Sequence, residues 1–347
     1  MTDASLLLSG RLPSSSPIMD LAVVGAGDAP LVVCADFDGA VWTWNPVGDV
    51  WRERPLAYAV AGDPLAAEYP DARNRIDSVA AVVSGGRVVL AAGGDEQAVA
   101  FWDLESGELL RGTTYHDDYL GAVAAVRDDG PPRFVTGTLY GGALLVWGPG
   151  QAAPLELSTD EDAIGSLATA SVDGRSLVAA GGLGIDVWDL ARNDQLASFE
   201  PDDGTIRALS IAPLDGRPIV VAAADPGELY TWQLSVDDEA EPLHEPITGH
   251  EDDVLAMDTC TVGGRCIAVT ASKDETVRIW DLAEGAGIGG PLIGHGSSVE
   301  AVVTTVLRGR QVAVSAGRDG AIRVWDLAAL LRWRHDSRDR SRTVGHG

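Results

Sequence analysis

Hydrophobic and polar positions along this chain change over short distances, and the pattern is that of strands. "ETVRIWDL" (275–282) and "GAIRVWDL" (320–327) alternate apolar and polar residues before a closing Trp-Asp-Leu. "VVLAAGG" (88–94) and "IVVAAAD" (219–225) are apolar almost throughout and end in turn residues. Alternation with a period of two marks a half-buried strand, and a short continuous apolar run marks a fully buried one. No period of 3.6 competes with these patterns. The exception is "DLAALLRWR" (326–334), which predicts a short helix.

The patterns recur. Seven strings close on a tryptophan: "DGAVWTWNP" (Trp44), "QAVAFWDL" (Trp102), "GALLVWGP" (Trp147), "LGIDVWDL" (Trp188), "GELYTWQL" (Trp232), "ETVRIWDL" (Trp280) and "GAIRVWDL" (Trp325). Their spacings are 58, 45, 41, 44, 48 and 45 residues. Each unit also holds a run of small residues, such as "SVAAVV" (78–83) or "GAVAAV" (121–126). In most units a Gly-Arg turn follows: Gly86-Arg87, Gly174-Arg175, Gly216-Arg217, Gly264-Arg265 and Gly309-Arg310. Next comes an apolar strand, a second turn and the Trp strand. Short strands joined by Gly-bearing turns predict an antiparallel meander. A self-similar period of 40–48 residues predicts one four-stranded propeller blade per unit. The fold class is therefore all-β: a seven-bladed β-propeller of four-stranded antiparallel blades. Small residues fit the crowded innermost strands, and the indoles fill the wider space further out.

Over most of its length, from about residue 5 to 327, the chain resembles the WD40 repeat (beta-transducin-like) propeller family. The propeller is assigned to 1–327, with 328–347 as a basic tail or a closing strand. The resemblance implies a hydrogen-bonded tetrad of His, Ser/Thr, Asp and Trp in each complete blade. The sixth unit supplies His250, Ser272, Asp274 and Trp280. The seventh supplies His295, Asp319 and Trp325, with Gly317 where the hydroxyl is expected. The third keeps His116 and Trp147, with Gly141 at the Asp position, and the first keeps Asp38 and Trp44. Units four and five lack the His and the Asp. Blades six and seven are thus expected to be the most rigid, because a satisfied polar network specifies one arrangement. In the family the N-terminal segment usually supplies the outer strand of the last blade. "SLLLSG" (5–10) fits that role, and "RTVGHG" (342–347) is its rival.

Charge narrows the function classes. Acids outnumber bases 52 to 25, giving a formal charge of −27. Nucleic-acid binding rests on neutralising phosphates, so this balance argues against it. It suits a basic protein partner, whose approach an acidic field steers. No apolar stretch approaches the length of a membrane span, and the start lacks the form of a signal peptide. A cytoplasmic, monomeric propeller is expected. The single lysine, Lys273, and the Ala, Gly, Asp and Val bias suggest a bacterial source. Cys34, Cys260 and Cys266 make no disulfide framework and are expected to be reduced.

Few motifs point to chemistry. His250, Ser272 and Asp274 are the residue types of a hydrolytic triad, but their spacing is that of the tetrad. "DFDG" (36–39) lacks the later ligands of a calcium loop. The glycines of "GGLGIDVW" (181–188) precede a strand and not the helix a phosphate loop needs. No His-Cys set has zinc spacing. No catalytic residue, metal or cofactor is assigned. The feature above background is acid in the loops that enter the first strand and precede the Trp strand, which the resemblance places on one face. The expected partner contacts there are Asp95, Asp118, Asp162, Asp203, Asp253 and Arg318. The Gly-Arg turns fall on the opposite face as a ring of arginines. The long connection 57–77 is a second candidate binding element. The leading expectation is a non-catalytic interaction scaffold or adaptor for a protein or peptide. The alternatives are a small-ligand or glycan sensor, which needs clustered exposed aromatics on that face, and a propeller enzyme with a carboxylate or metal site in the axial channel.

Overall fold

The structure is a computed structural model that describes residues 5–25, 29–56, 76–94, 98–115, 119–128, 130–148, 153–159, 161–201, 204–234 and 241–331. Seven antiparallel sheets form the blades of a ring. In blade 4 the strands run from the axis outward as Ser166–Val172, Arg175–Gly181, Ile185–Asp189 and Asp194–Phe199. The others repeat this order, with inner strands at Ile18–Val24, Ser78–Ser84, Leu120–Val126, Ile206–Leu214, Val254–Val262 and Val299–Leu307. Blade 6 carries an extra short strand, Leu292–Ile293, against Thr276–Asp281.

The chain closes the ring on itself. Leu6–Arg11 pairs antiparallel with Ala321–Asp326 and becomes the outer strand of blade 7. The rival strand at 342–347 lies outside the described residues, as does most of the 57–77 connection. The expected helix amounts to one turn over 327–331, directly after the last Trp strand.

Local sequence explains the hairpins. Between the inner and second strands, both turn residues take positive φ: Gly85 and Gly86 at 57° and 78°, Asp173 and Gly174 at 50° and 74°, Arg308 and Gly309 at 50° and 72°. Such primed turns match the right-handed twist of the flanking strands, and glycine adopts them without strain. The recurrent Gly of the Gly-Arg pairs is this requirement.

The repeated Trp-Asp-Leu has a clear division of labour. Trp and Leu point into the seam with the preceding blade, and the Asp between them points the other way. Seven hydrophobic clusters fill the seven seams. Trp44 packs with blade 7, Trp102 with blade 1, Trp147 with blade 2, and Trp188 with blade 3. Trp232, Trp280 and Trp325 pack with blades 4, 5 and 6. The leucines Leu104, Leu190, Leu282 and Leu327 join the same clusters.

The Asp performs two tasks. In blade 4, Asp189 accepts the amides of Ala191 and Arg192 on one oxygen, closing the next turn. Its other oxygen accepts from Arg175 Nε at 2.9 Å. Arg265 and Asp281 repeat this pairing at 3.0 Å, and Arg310 and Asp326 at 2.9 Å. In blade 2, Arg87 and Asp103 stand at 3.9 Å. Burial opposes the charge of Asp189, yet the hydrogen bonds from Arg175, Ala191 and Arg192 hold its carboxyl below the usual range. Blades 1, 3 and 5 have Asn45, Gly148 and Gln233 after the Trp and make no such clasp. There Arg133 of blade 3 turns to Asp128. The Gly-Arg and Trp-Asp repeats are therefore two halves of one interaction.

Polar links also join inner strands across the seams. Asp20 accepts from Ser78 Oγ and Val79 N at 3.1 and 2.8 Å, and Ser78 Oγ accepts from Val123 N at 3.1 Å. Thr169 donates to the Ala125 carbonyl at 2.6 Å, and the Ser210 and Thr259 hydroxyls meet at 2.8 Å. Asp258 accepts from Thr304 N and Oγ1 at 2.6 and 2.9 Å. Burial raises the pKa of Asp258, and that of Asp20 to about 6.

If the N-terminal strand closes the ring, deleting residues 1–11 leaves the Ala321–Asp326 edge unpaired. The expected outcome is a lower melting temperature and concentration-dependent association, since an open strand edge is a template for pairing. Differential scanning calorimetry and sedimentation velocity read both. A truncated chain that melts like the intact one and stays monodisperse would contradict this closure.

Candidate functional site

Chemistry-bearing residues gather in two places: the His-containing networks inside blades 6 and 7, and the loop face at the start of the inner strands. In blade 6, His250 Nδ1 lies 2.7 Å from Asp274 Oδ2, and Nε2 lies 2.7 Å from Thr270 Oγ1. The Trp280 indole N–H donates to the same Thr270 hydroxyl at 2.8 Å. Asp274 also accepts from Glu251 N and from Thr276 N and Oγ1. The hydroxyl of this network is thus Thr270, and the expected Ser272 is a correction. Ser272 donates instead to the Asp252 carbonyl at 3.1 Å and accepts from Asp274 N at 3.1 Å, tightening the turn.

Blade 7 requires the same correction. Gly317 is no missing hydroxyl, because Ser315 supplies it: His295 Nε2 lies 2.8 Å and Trp325 Nε1 2.9 Å from Ser315 Oγ. His295 Nδ1 stands 3.2 Å from Asp319, and Arg323 lies between these partners at 2.8 and 3.1 Å. The reason is register. Trp280 pairs across the strands with Ala268, so the next side chain on the same face is Thr270; Trp325 pairs with Ala313, and Ser315 follows. In both blades the hydroxyl stands ten residues before the Trp, a spacing readable in the sequence. Blade 3 keeps the indole–hydroxyl bond, Trp147 to Thr136 at 2.7 Å, while His116 lies outside the described residues.

These networks are sealed. Thr270 and Ser315 are fully buried. Burial holds His250 and His295 below the ordinary histidine value, against the pull of Asp274 and Asp319. A neutral His250 between a carboxylate and a hydroxyl has the order of a hydrolytic triad, but Thr270 faces an indole and not a substrate. Blades 1 and 5, which lack the hydroxyl, hold their indoles by other means. Trp44 Nε1 donates to Asp49 at 2.9 Å, and Trp232 stacks between Phe199 and Tyr230 at 4.9 and 5.6 Å.

The loop face surrounds an axial cavity of about 360 Å³ lined by the inner strands. Register shifts occur after the first residue of the inner strand in blades 1, 3, 5, 6 and 7. Bulges re-aim side chains, and here they set Met19, Gly121, Arg207, Leu255 and Glu300 at the cavity wall. Bases on this face are engaged by acids. Arg207 grips Asp225 with three hydrogen bonds of 2.9–3.1 Å. Lys273 pairs with Asp253, and Arg318 with Glu300 at 2.6 Å. Of the expected partner contacts, Asp253 and Arg318 are therefore engaged within the chain, and Asp162 is exposed. Asp95, Asp118 and Asp203 lie outside the described residues. On the opposite face Arg175, Arg265 and Arg310 of the arginine ring are paired with Trp-Asp carboxylates.

Phe37, Tyr119 and Tyr140 are the aromatics that the sequence places in or near these loops, and sequence reasoning missed the apolar Leu139 and Leu183 of blades 3 and 4. Leu139, Tyr140 and Leu183 are exposed there beside Tyr119. Phe37 is exposed on the corresponding turn of blade 1. Among the described residues, no group of three or more His, Cys, Asp and Glu could hold a metal ion. The three cysteines are free, and burial pushes the Cys260 thiol up to about 12 and that of Cys266 to about 11.

Substituting Thr270→Val leaves the Trp280 N–H and a His250 nitrogen buried without a partner. The expected cost is about 1–3 kcal/mol of unfolding free energy. Ser272→Ala should cost clearly less, because Ser272 bonds only to backbone. Urea unfolding of the two variants checks the order; a larger loss for Ser272→Ala would contradict the assignment of Thr270.

Comparison with known proteins agrees with this geometry. Residues 240–281 and 290–326, each ending on the Trp strand of blade 6 or blade 7, match the family model described as WD domain, G-beta repeat. The chain is 29% identical over 101 residues to Autophagy-related protein 16 of Arabidopsis thaliana, which is 29% of this chain and 18% of that protein. The chain thus spans less than a fifth of that relative's length. Among the described residues no helix is long and apolar enough to cross a membrane. Two successive units thus match the WD40 repeat model, and the same four-stranded unit recurs around the ring to make a seven-bladed propeller.

Proposed function

We propose that this chain is a non-catalytic protein–protein interaction scaffold whose acidic loop face receives a basic protein or peptide. WD40 propellers generally serve as interaction scaffolds, and a closed ring of blades holds its loops at fixed positions. The observation that carries the reading is the distribution of charge on this face. The described bases Arg207, Lys273 and Arg318 are each held by a carboxylate of the same face. In the loops of blades 3 and 4, Glu161 and Asp162 have no Arg or Lys beside them in the chain. An acidic field of this kind speeds encounter with a basic partner and rejects acidic ones.

A second reading, a small-ligand or glycan sensor, has one observation in its favour: Tyr119 and Tyr140 meet on this face with ring centroids 6.2 Å apart. For an enzyme the channel carboxylates would be the natural candidates. Asp20 and Asp258 are bound by groups of the neighbouring blade, Ser78 and Val79 for the first and Thr304 for the second.

The test is capture of partners from the organism's extract on immobilised protein, with and without Asp95, Asp118, Asp162 and Asp203 all changed to Asn. Partners held by the wild type at low salt should be lost from the variant. They should also be lost in about 1 M salt, where the Debye length is about 3 Å. Equal retention of every partner by the two proteins would overturn the reading.

A further inference from the structure

The exposed apolar side chains of blades 3 and 4 form one patch on a fixed support. Tyr140 is 70% exposed, Leu183 67% and Tyr119 44%. The two tyrosine rings meet edge to face, with an interplanar angle of 79°. Large apolar groups held in water in this way mark a surface that something covers.

Backbone bonds hold the support in place. Leu139 N donates to the Tyr119 carbonyl at 2.9 Å, and Gly141 N donates to the Asp162 carbonyl at 2.8 Å. Ile164 N donates to the Thr138 carbonyl at 2.7 Å. The turn of blade 3 thereby lies against the loop leading into blade 4. Gly142 makes that approach possible: a Cβ there would stand 1.7 Å from the Glu161 carbonyl oxygen, and its φ is +59°. On the other side, Glu161 Oε2 accepts from Leu183 N and Gly184 N, both at 3.0 Å. Glu161 therefore ties the turn that carries Leu183 to the loop beside Tyr140. Burial leaves this carboxyl above its ordinary value.

Charge selects the occupant. Asp162 is exposed next to the patch, and the sequence of the adjoining loops of blades 3 and 4 holds acids and no Arg or Lys. Aromatic rings attract cations through their negative faces, and a nearby carboxylate adds to that attraction. We propose, resting on the scaffold reading above, that this patch is the docking point for a basic segment of a partner protein. An arginine or lysine of that segment lies against Tyr140 beside Asp162, and an aliphatic side chain covers Leu183. The partner is thus defined as a peptide of alternating basic and aliphatic residues, docking off the axis of the ring.

A fluorescein-labelled Arg-Leu-Arg-Leu-Arg-Leu peptide, titrated by anisotropy at low salt, tests this. Wild type should bind it saturably and should not bind the Glu-Leu counterpart. Tyr140→Ala should weaken binding by between about twofold and fivefold, and Leu183→Ser by a similar factor. Tyr140→Phe and the blade 1 control Phe37→Ser should bind as wild type does, and matching melting curves exclude unfolding. If Tyr140→Ala and Leu183→Ser bind as wild type while the fourfold Asp→Asn variant does not, the patch is wrong and the acidic scaffold stands. If the Asp→Asn variant also binds normally, both fall. Binding of oligosaccharides in place of the peptide, or a dimer in sedimentation that Tyr140→Ala abolishes, would also overturn the proposal.

Discussion

Each indole of the repeat lies in the seam between its own blade and the one before it, and that placement governs the rest of the structure. A blade by itself leaves Trp and Leu uncovered, so it becomes stable only with a neighbour. A row of blades would end in one uncovered indole face, and the ring removes that end. At the closing seam Trp44 of blade 1 packs on Ile322 and Val324 of blade 7. Gly10 of the N-terminal strand sits beside this contact: a Cβ there would stand 3.2 Å from Ile322 Cγ2 and 3.6 Å from the Trp44 ring. The first strand of the chain therefore completes both the sheet of blade 7 and the packing of blade 1.

Polar chemistry sits on this apolar frame in three tiers. At the axis, Asp20, Ser78, Thr169 and Asp258 link neighbouring inner strands. Within blades 6 and 7, buried His–hydroxyl–Trp chains orient the indoles that fill the seams. On the face opposite the loops, Arg–Asp clasps join the Gly-Arg turn to the end of the Trp strand and use the charge of both repeats. Each tier satisfies groups that would otherwise be costly to bury. Once they are satisfied, the exposed acids and the apolar patch of the loop face are what remains for a partner.

Most of the architecture was legible because it repeats. Seven Trp strands, the primed Gly turns and the small inner residues each carry a local rule, and the period makes the rules reinforce one another. The choice between two closing strands was open, because "SLLLSG" and "RTVGHG" both fit an outer edge. The network hydroxyls were misplaced for a register reason. Ser272 and Thr270 both face the right way on a strand of period two, and only the pairing of Trp280 with Ala268 selects Thr270. The patch on blades 3 and 4 was legible only in part: Tyr119 and Tyr140 fall in or near the loops by sequence, but Leu183 lies far along the chain from both. Their meeting depends on Gly142 allowing one blade's turn to touch the next blade's loop. The arginine ring was visible as a period, but its pairing with the Trp-Asp carboxylates was not.

The measurement that bears most directly on the seam as the organising contact is a double-mutant cycle across the closing seam. Trp44→Leu, Ile322→Val and the pair together are unfolded in urea. Packing of the two residues on each other predicts a coupling energy between about 0.5 and 3 kcal/mol. Additivity to within about 0.5 kcal/mol would mean that blade 1 and blade 7 do not share this contact, and the ring would not close as described.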